Sequence, residues 1–240
     1  MNIRRGSPVE ACFLLKLHKI ITDYSPDFIL IENSRYIQKT KEVFISCGNF
    51  GLYVRNYHIT GLRMGEIFEV PISIDILSRL RWLSLARNKL KTLPKSLCNL
   101  KKLNQLKLYG NQFENFPKWL IKFLKKIYVP EFIKEGVLPE DAQILSLISA
   151  FTPLKLFNIM YNNDVLIEGT KIIPLLIQEF EIGLRYYKLN EEGHVTGIYL
   201  WPGFEIKLFP LPNFINEQIK YLKFLEEYRL NTIELQKIVK

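Results

Sequence analysis

The sequence has little of what metal, redox or disulfide chemistry requires. Its three cysteines, Cys12, Cys47 and Cys98, stand at no metal-ligand spacing and cannot all pair, a usage expected of a reduced, cytoplasmic protein. The three histidines, His18, His58 and His194, are too scattered to form a zinc set. There is no glycine-rich phosphate or dinucleotide loop, and no serine stands in a nucleophile elbow. No run approaches the ~18 apolar residues that a membrane-spanning helix needs. Arg4 and Arg5 precede the apolar run Ala11–Leu15 as in a signal peptide, but Lys16, His18 and Lys19 interrupt it and no small-residue cleavage site follows. An amphipathic helix is expected over 8–22 instead. Disorder is excluded, because 48% of the residues are hydrophobic and 13% aromatic.

One absence is local. Between Arg79 and Lys126 there is a single acid, Glu114, against thirteen of the 33 basic residues. That stretch carries +12. The rest keeps 20 basic and 23 acidic residues, a balance of −3. Such asymmetry bears on partners and association rates rather than on fold.

What fills the stretch is a pattern written twice, 23 residues apart. Leu80-x-x-Leu83-x-Leu85-x-x-Asn88-x-Leu90-x-x-Leu93-Pro94 returns as Leu103-x-x-Leu106-x-Leu108-x-x-Asn111-x-Phe113-x-x-Phe116-Pro117. An amphipathic helix with scattered leucines would not keep Asn and Leu-Pro in register over two copies. A fixed period of this length marks stacked repeats. Leu83 and Leu85 alternate as a short strand requires. Asn88 and Asn111 stand where the chain leaves the strand, with side chains able to bond the backbone of their own turn and the next coil. Pro94 and Pro117 are expected to end the second apolar segment and fix the return bend. Leu83, Leu85, Leu106 and Leu108 are the expected core.

Ahead of the pattern, strands are expected over 28–31 and 43–46, with a turn at Asn49-Phe50-Gly51. A hairpin of 52–55 and 59–64 follows, and its second arm opens an irregular first repeat, Ile59-x-x-Leu62-x-Met64. After it, a helix is expected over 119–128, ended by Val129-Pro130 and a linker through Gly136. The second half then replays the first. Pro139-Glu140-Asp141-Ala142 matches Pro8-Val9-Glu10-Ala11 at an offset of 131, Glu181–Tyr187 matches Asn49–Arg55 at 132, and His194–Leu200 matches His58–Met64 at 136. The growing offset implies insertion at the hairpin tip, Glu191-Glu192-Gly193. Later repeats are degenerate: Leu208-Phe209-Pro210 mimics the Leu-Pro bend, and Ile219-x-x-Leu222-x-Phe224 starts a final repeat, unless 216–240 is one amphipathic helix. The acidic pairs Glu140-Asp141, Glu191-Glu192 and Glu226-Glu227 are expected to be solvated, and His58 and His194, at the same hairpin position, to be structural.

The double pattern resembles the leucine-rich repeat family, and the helix, hairpin and short repeats together are similar to small leucine-rich-repeat proteins of archaea. The expected fold is α+β: short leucine-rich-repeat solenoid units with parallel strands, each preceded by a helix-plus-hairpin cap, in tandem duplication over 1–130 and 131–240. The resemblance implies a non-enzymatic protein-binding scaffold without cofactor or metal. In such a strand the residues between the leucines face the concave side. From spacing these include Gly61, Arg63, Trp82, Ser84, Ala86, Gln105, Lys107 and Tyr109, joined in the second half by Gly197, Tyr199 and Trp201. Arg63, Trp82, Ser84, Gln105, Lys107, Tyr109, Tyr199 and Trp201 are the candidate partner-binding residues, since aromatic and arginine side chains are enriched at binding hot spots. An acidic protein partner is expected from the +12 stretch. Two alternatives stand beside this. In one the aromatics tuck under the hairpin; in the other the lysines serve a nucleic acid or an anionic membrane surface.

Overall fold

The computed structural model describes residues 42–47, 50–56, 58–152, 156–158, 185–200, 211–230 and 236–237. The helix expected over 8–22, the strand over 28–31 and the Leu208-Phe209-Pro210 bend lie outside these residues. The described chain is α+β, with two mixed sheets and few helices. It divides into two compact units, Met1–Phe123 and Leu124–Lys240.

The first unit holds one five-stranded sheet in chain order: β1 (Glu42–Cys47), β2 (Phe50–Arg55), β3 (His58–Arg63), β4 (Trp82–Ser84) and β5 (Gln105–Lys107). β1, β2 and β3 pair antiparallel, whereas β3, β4 and β5 pair parallel. Phe50 and Gly51 belong to β2 and not to a turn, because they pair with Cys47 and Ser46 of β1. In the parallel part Leu62, Leu83 and Leu106 share one rung, and all three are fully buried, as are Leu85 and Leu108. Each such leucine contributes about 1.5–3 kcal/mol by leaving water.

The backbone between these strands repeats as the sequence does. The amides of Ile74, Leu97 and Leu120 donate to the carbonyls of Pro71, Pro94 and Pro117 at 3.0, 3.1 and 2.9 Å. Each proline therefore opens a segment instead of closing one. Pro71 and Pro94 lead into 3₁₀ turns at Ile72–Ile76 and Lys95–Asn99, and Pro117 leads into α1 (Lys118–Ile127). A proline suits that place, where its missing amide would have had no partner. Three residues at the same place, Glu66, Arg87 and Gly110, take left-handed backbone with φ of 61°, 57° and 72°. Only glycine does so without cost; for the other two it costs roughly 1–2 kcal/mol.

Asn88 and Asn111 tie neighbouring strand-to-strand connections together. Asn88, 5% exposed, donates through Nδ2 to the carbonyls of Met64 at 2.8 Å and Leu85 at 2.9 Å. Its Oδ1 accepts the Ile67 amide at 2.9 Å. Asn111 repeats this 23 residues on, with Leu85, Leu108 and Leu90. Each asparagine thus serves its own turn and the preceding segment, not the next one as expected, because the amides and carbonyls within its reach are those of Ile67, Met64, Leu90 and Leu85.

The second unit holds α2 (Val129–Lys134), α3 (Pro139–Ala150), β6 (Phe157–Asn158), β7 (Arg185–Leu189), β8 (Val195–Leu200), α4 (Asn213–Ile219), β9 (Glu227–Leu230) and β10 (Gln236–Lys237). Val129-Pro130 starts α2 where a linker was expected, again because proline is well placed in a first turn. The sheet order is β10-β9-β8-β7-β6, with β7 and β8 antiparallel and β8 and β9 parallel. Residues 216–240 are accordingly not one helix. The final repeat also has another phase. Ile219, Leu222 and Leu225 are buried, but Phe224 is 40% exposed, and Tyr228 is the residue that pairs with Ile198. Ile219, Leu222, Leu225, Tyr228 and Leu230 keep the spacing of Ile74, Leu77, Leu80, Leu83 and Leu85.

The two hairpins agree in detail. Gly61 pairs with Tyr53 and Ile59 with Val54, which leaves Thr60 as a bulge residue. Gly197 pairs with Lys188 and Val195 with Leu189, which leaves Thr196 in the same role. The bulged threonine's carbonyl then accepts the amide that starts the parallel strand, from Arg81 at 2.8 Å and from Glu226 at 2.9 Å. For the second arm the register reproduces the offset of 136. For the first arm it gives Tyr53 with Lys188, an offset of 135, and not the 132 read from Glu181–Tyr187. Only one residue separates the two tips. The sequence match misaligned because Gly183-Leu184, three residues ahead of the true register, repeats the letters of Gly51-Leu52.

Candidate protein-binding face

The parallel registers decide which side chains share a surface. Gly61, Trp82 and Gln105 form one rung, and Arg63, Ser84 and Lys107 form the next. Between them runs the buried leucine rung, on the opposite side by the alternation of a strand. The burial of β4 and β5 follows it: Leu83 and Leu106 are buried, and Trp82, Ser84, Gln105 and Lys107 are half-buried. Arg63 is exposed. Tyr109, two residues past Lys107, is half-buried, and its ring centroid lies 6.0 Å from the Arg87 guanidinium carbon.

Trp82 leans toward the hairpin. Its ring meets Tyr53 edge to face, centroids 5.6 Å apart. Both rings close over Gly61. A Cβ there would stand 2.8 Å from Tyr53 Cδ2 and 3.2 Å from Trp82 Cε3, so glycine is required by the close approach. Trp82 is therefore both a packing residue toward β2 and a face residue, between the two expectations for it. Lys89, Lys91, Lys95, Lys101 and Lys102 are all exposed. Lys89 lies over the Phe68 ring at 5.2 Å. Lys91 bonds Glu114 at 2.9 Å, which holds its ammonium above the usual lysine range.

Tyr199 is 6% exposed: its ring covers Gly197, and Lys188 Nζ sits 5.2 Å from the ring centroid. Tyr199 is a core residue and not a partner-binding one. Trp201 lies outside the described residues. The face consists of residues of the first unit.

A second constellation escaped the sequence reading. Asp141, expected to be solvated, is 3% exposed. Its Oδ2 accepts the Val195 amide at 2.8 Å and lies 3.4 Å from His194 Nδ1. The His194 ring packs on Phe224 at 4.2 Å between centroids, and its amide donates to Asn190 Oδ1 at 2.8 Å. The carboxylate thus pins the start of α3 to the start of β8. The available signal was Glu10, which puts an acid at the matching place in the first half. Nearby, Tyr187 is fully buried and donates its hydroxyl to Glu135 Oε2. Burial first, then Glu135, push its phenol well above the ordinary tyrosine range. Burial likewise pushes Tyr228 up to about 12. Asp141 and Tyr187 are thus both bonded within the fold.

Among the described residues, no group of three or more His, Cys, Asp or Glu is placed to hold a metal ion. No helix among them is long and apolar enough to cross a membrane. No protein-family model, no curated protein and no solved structure matches this chain.

Proposed function

We propose that this chain is a non-enzymatic, leucine-rich-repeat interaction module whose Trp82 face binds an acidic protein partner. The repeat assignment rests on the 23-residue pattern together with the two asparagine ties, the proline-opened turns and the left-handed residue at the same place in each coil. The matching Thr60 and Thr196 bulges support a tandem duplication of one hairpin-plus-repeat unit. The observation that carries the functional reading is the register. It gathers Trp82, Arg63, Ser84, Gln105 and Lys107 on one side of the strands while every leucine faces the other. A tryptophan already held by Tyr53 loses little freedom on binding, and such aromatics dominate interface energies.

The test is capture from lysate by wild type and Trp82→Ala, with a thermal melt of each. The variant should lose more than ~1 kcal/mol of binding and keep its fold. Equal capture by both, or unfolding of the variant, refutes the reading. The second reading, phosphate-bearing partners, is favoured by Lys118, Lys122 and Lys126, all exposed on α1. It requires binding to nucleic acid or anionic vesicles that falls steeply with salt.

A further inference from the structure

We infer that the Arg63–Ser84 rung receives a side-chain carboxylate of an extended partner segment, two residues from an apolar side chain that packs on Trp82. This rests on the reading of the Trp82 face as the binding surface and adds the spacing and chemistry of what binds there.

The geometry comes from the register. Arg63 and Ser84 are cross-strand neighbours, about 4.8 Å apart in the pairing direction. Trp82 precedes Ser84 by two residues on the same strand and the same face, about 6.6–6.8 Å along it. An extended peptide lying along these strands presents its own residues i and i+2 at that interval, whereas a helix presents i and i+4 at about 5–6 Å between Cβ atoms. An extended segment therefore reaches both rungs in register.

The chemistry comes from the residues. Arg63 is the exposed cation of the face, and its guanidinium fork matches the two oxygens of a carboxylate. The Ser84 hydroxyl stands beside it to donate a further hydrogen bond. No acid occupies any face position of β3, β4 or β5 from Gly61 to Lys107, so nothing on the face competes for the rung. Lys107 already has an interaction of its own and contributes positive field, not a required contact. One rung away, Gly61, Tyr53 and Trp82 form an aromatic ledge with its rings already positioned.

The experiment is selection of random displayed decapeptides on the immobilised full chain, with Trp82→Ala and Arg63→Glu in parallel. Selected sequences are then synthesised with the acid in place, moved by one residue, or replaced by phosphoserine. The expected outcome is enrichment of Asp or Glu two positions from an aliphatic or aromatic residue. Moving the acid by one position should weaken Kd about tenfold or more, and Arg63→Glu should remove the acidic preference. Arg63→Lys should keep part of it. Absence of enrichment, enrichment without the spaced acid, unchanged binding by Arg63→Glu, or binding of the phosphoserine peptides alone overturns the inference. If that happens while Trp82→Ala still loses its protein partner, the face stands and the carboxylate rung falls. If Trp82→Ala changes nothing either, the face itself was misread.

Discussion

Replacing Asn88 by alanine tests the reasoning about what holds the coils together. The side chain makes three short bonds, at 2.8, 2.9 and 2.9 Å, in a place that is 5% exposed. The truncated residue leaves the Ile67 amide and the Met64 and Leu85 carbonyls without that partner. Leu85 keeps Asn111 Nδ2 at 2.7 Å, so two groups are orphaned outright. A buried polar group left unpaired costs about 1–3 kcal/mol, so with two such groups Asn88→Ala should lose roughly 2–6 kcal/mol. Asn111→Ala breaks similar bonds, but at a half-buried site where water can replace them, and should lose roughly 1–2 kcal/mol. Asn88→Asp keeps the Ile67 acceptor but sets a carboxylate oxygen against two carbonyls, and should be no better than alanine. The assay is urea unfolding followed by tryptophan fluorescence, with the slope checked for constancy. Because the two units need not melt together, amide exchange at Leu85 and Leu106 should report the same order. A loss below ~1 kcal/mol for Asn88→Ala, or a larger loss for Asn111→Ala, refutes the assignment of Asn88 as the tie between coils.

Two further outcomes concern the second unit. Asp141→Ala removes the acceptor of the Val195 amide and should destabilise by about 1–3 kcal/mol. Asp141→Asn retains an oxygen there and should recover a large part; equal losses in a melt of the two variants would show that the bond is immaterial. Tyr187 and Tyr228 should resist ionisation, because their neutral forms are favoured in the fold. A phenol with a folded pKa above its unfolded value stabilises below the unfolded value of 10.0, and this is lost as pH climbs through about 12 for Tyr228. A phenolate titration at 295 nm should show these two lagging behind exposed tyrosines, and Tyr228→Phe should remove one lagging group. Titration of Tyr228 near its ordinary value would refute its burial.

The core of the first unit was legible in the residues themselves. A two-residue alternation of leucines sends them to one side of a strand, so Leu83, Leu85, Leu106 and Leu108 are buried as expected, whereas Asn88 and Asn111 bond their own turn and the preceding segment, not the next one. The rungs of Trp82 and Arg63 followed from the same alternation, because a strand sends neighbouring side chains to opposite sides. Three things were not legible. The phase of the last repeat was ambiguous in sequence, since Leu222-x-Phe224 fits the strand template as well as Tyr228-x-Leu230. Pairing with β8 selects the second and leaves Phe224 against His194. Tyr199 was assigned correctly to a side of its strand, but what covers that side belongs to tertiary structure, here Lys188 over the ring and the bare Cα of Gly197 beneath it. Asp141 looked like an ordinary acid in the first turn of a helix. That it is buried and accepts the amide of a residue 54 positions later depends on where the hairpin lands, which local residue preferences do not encode.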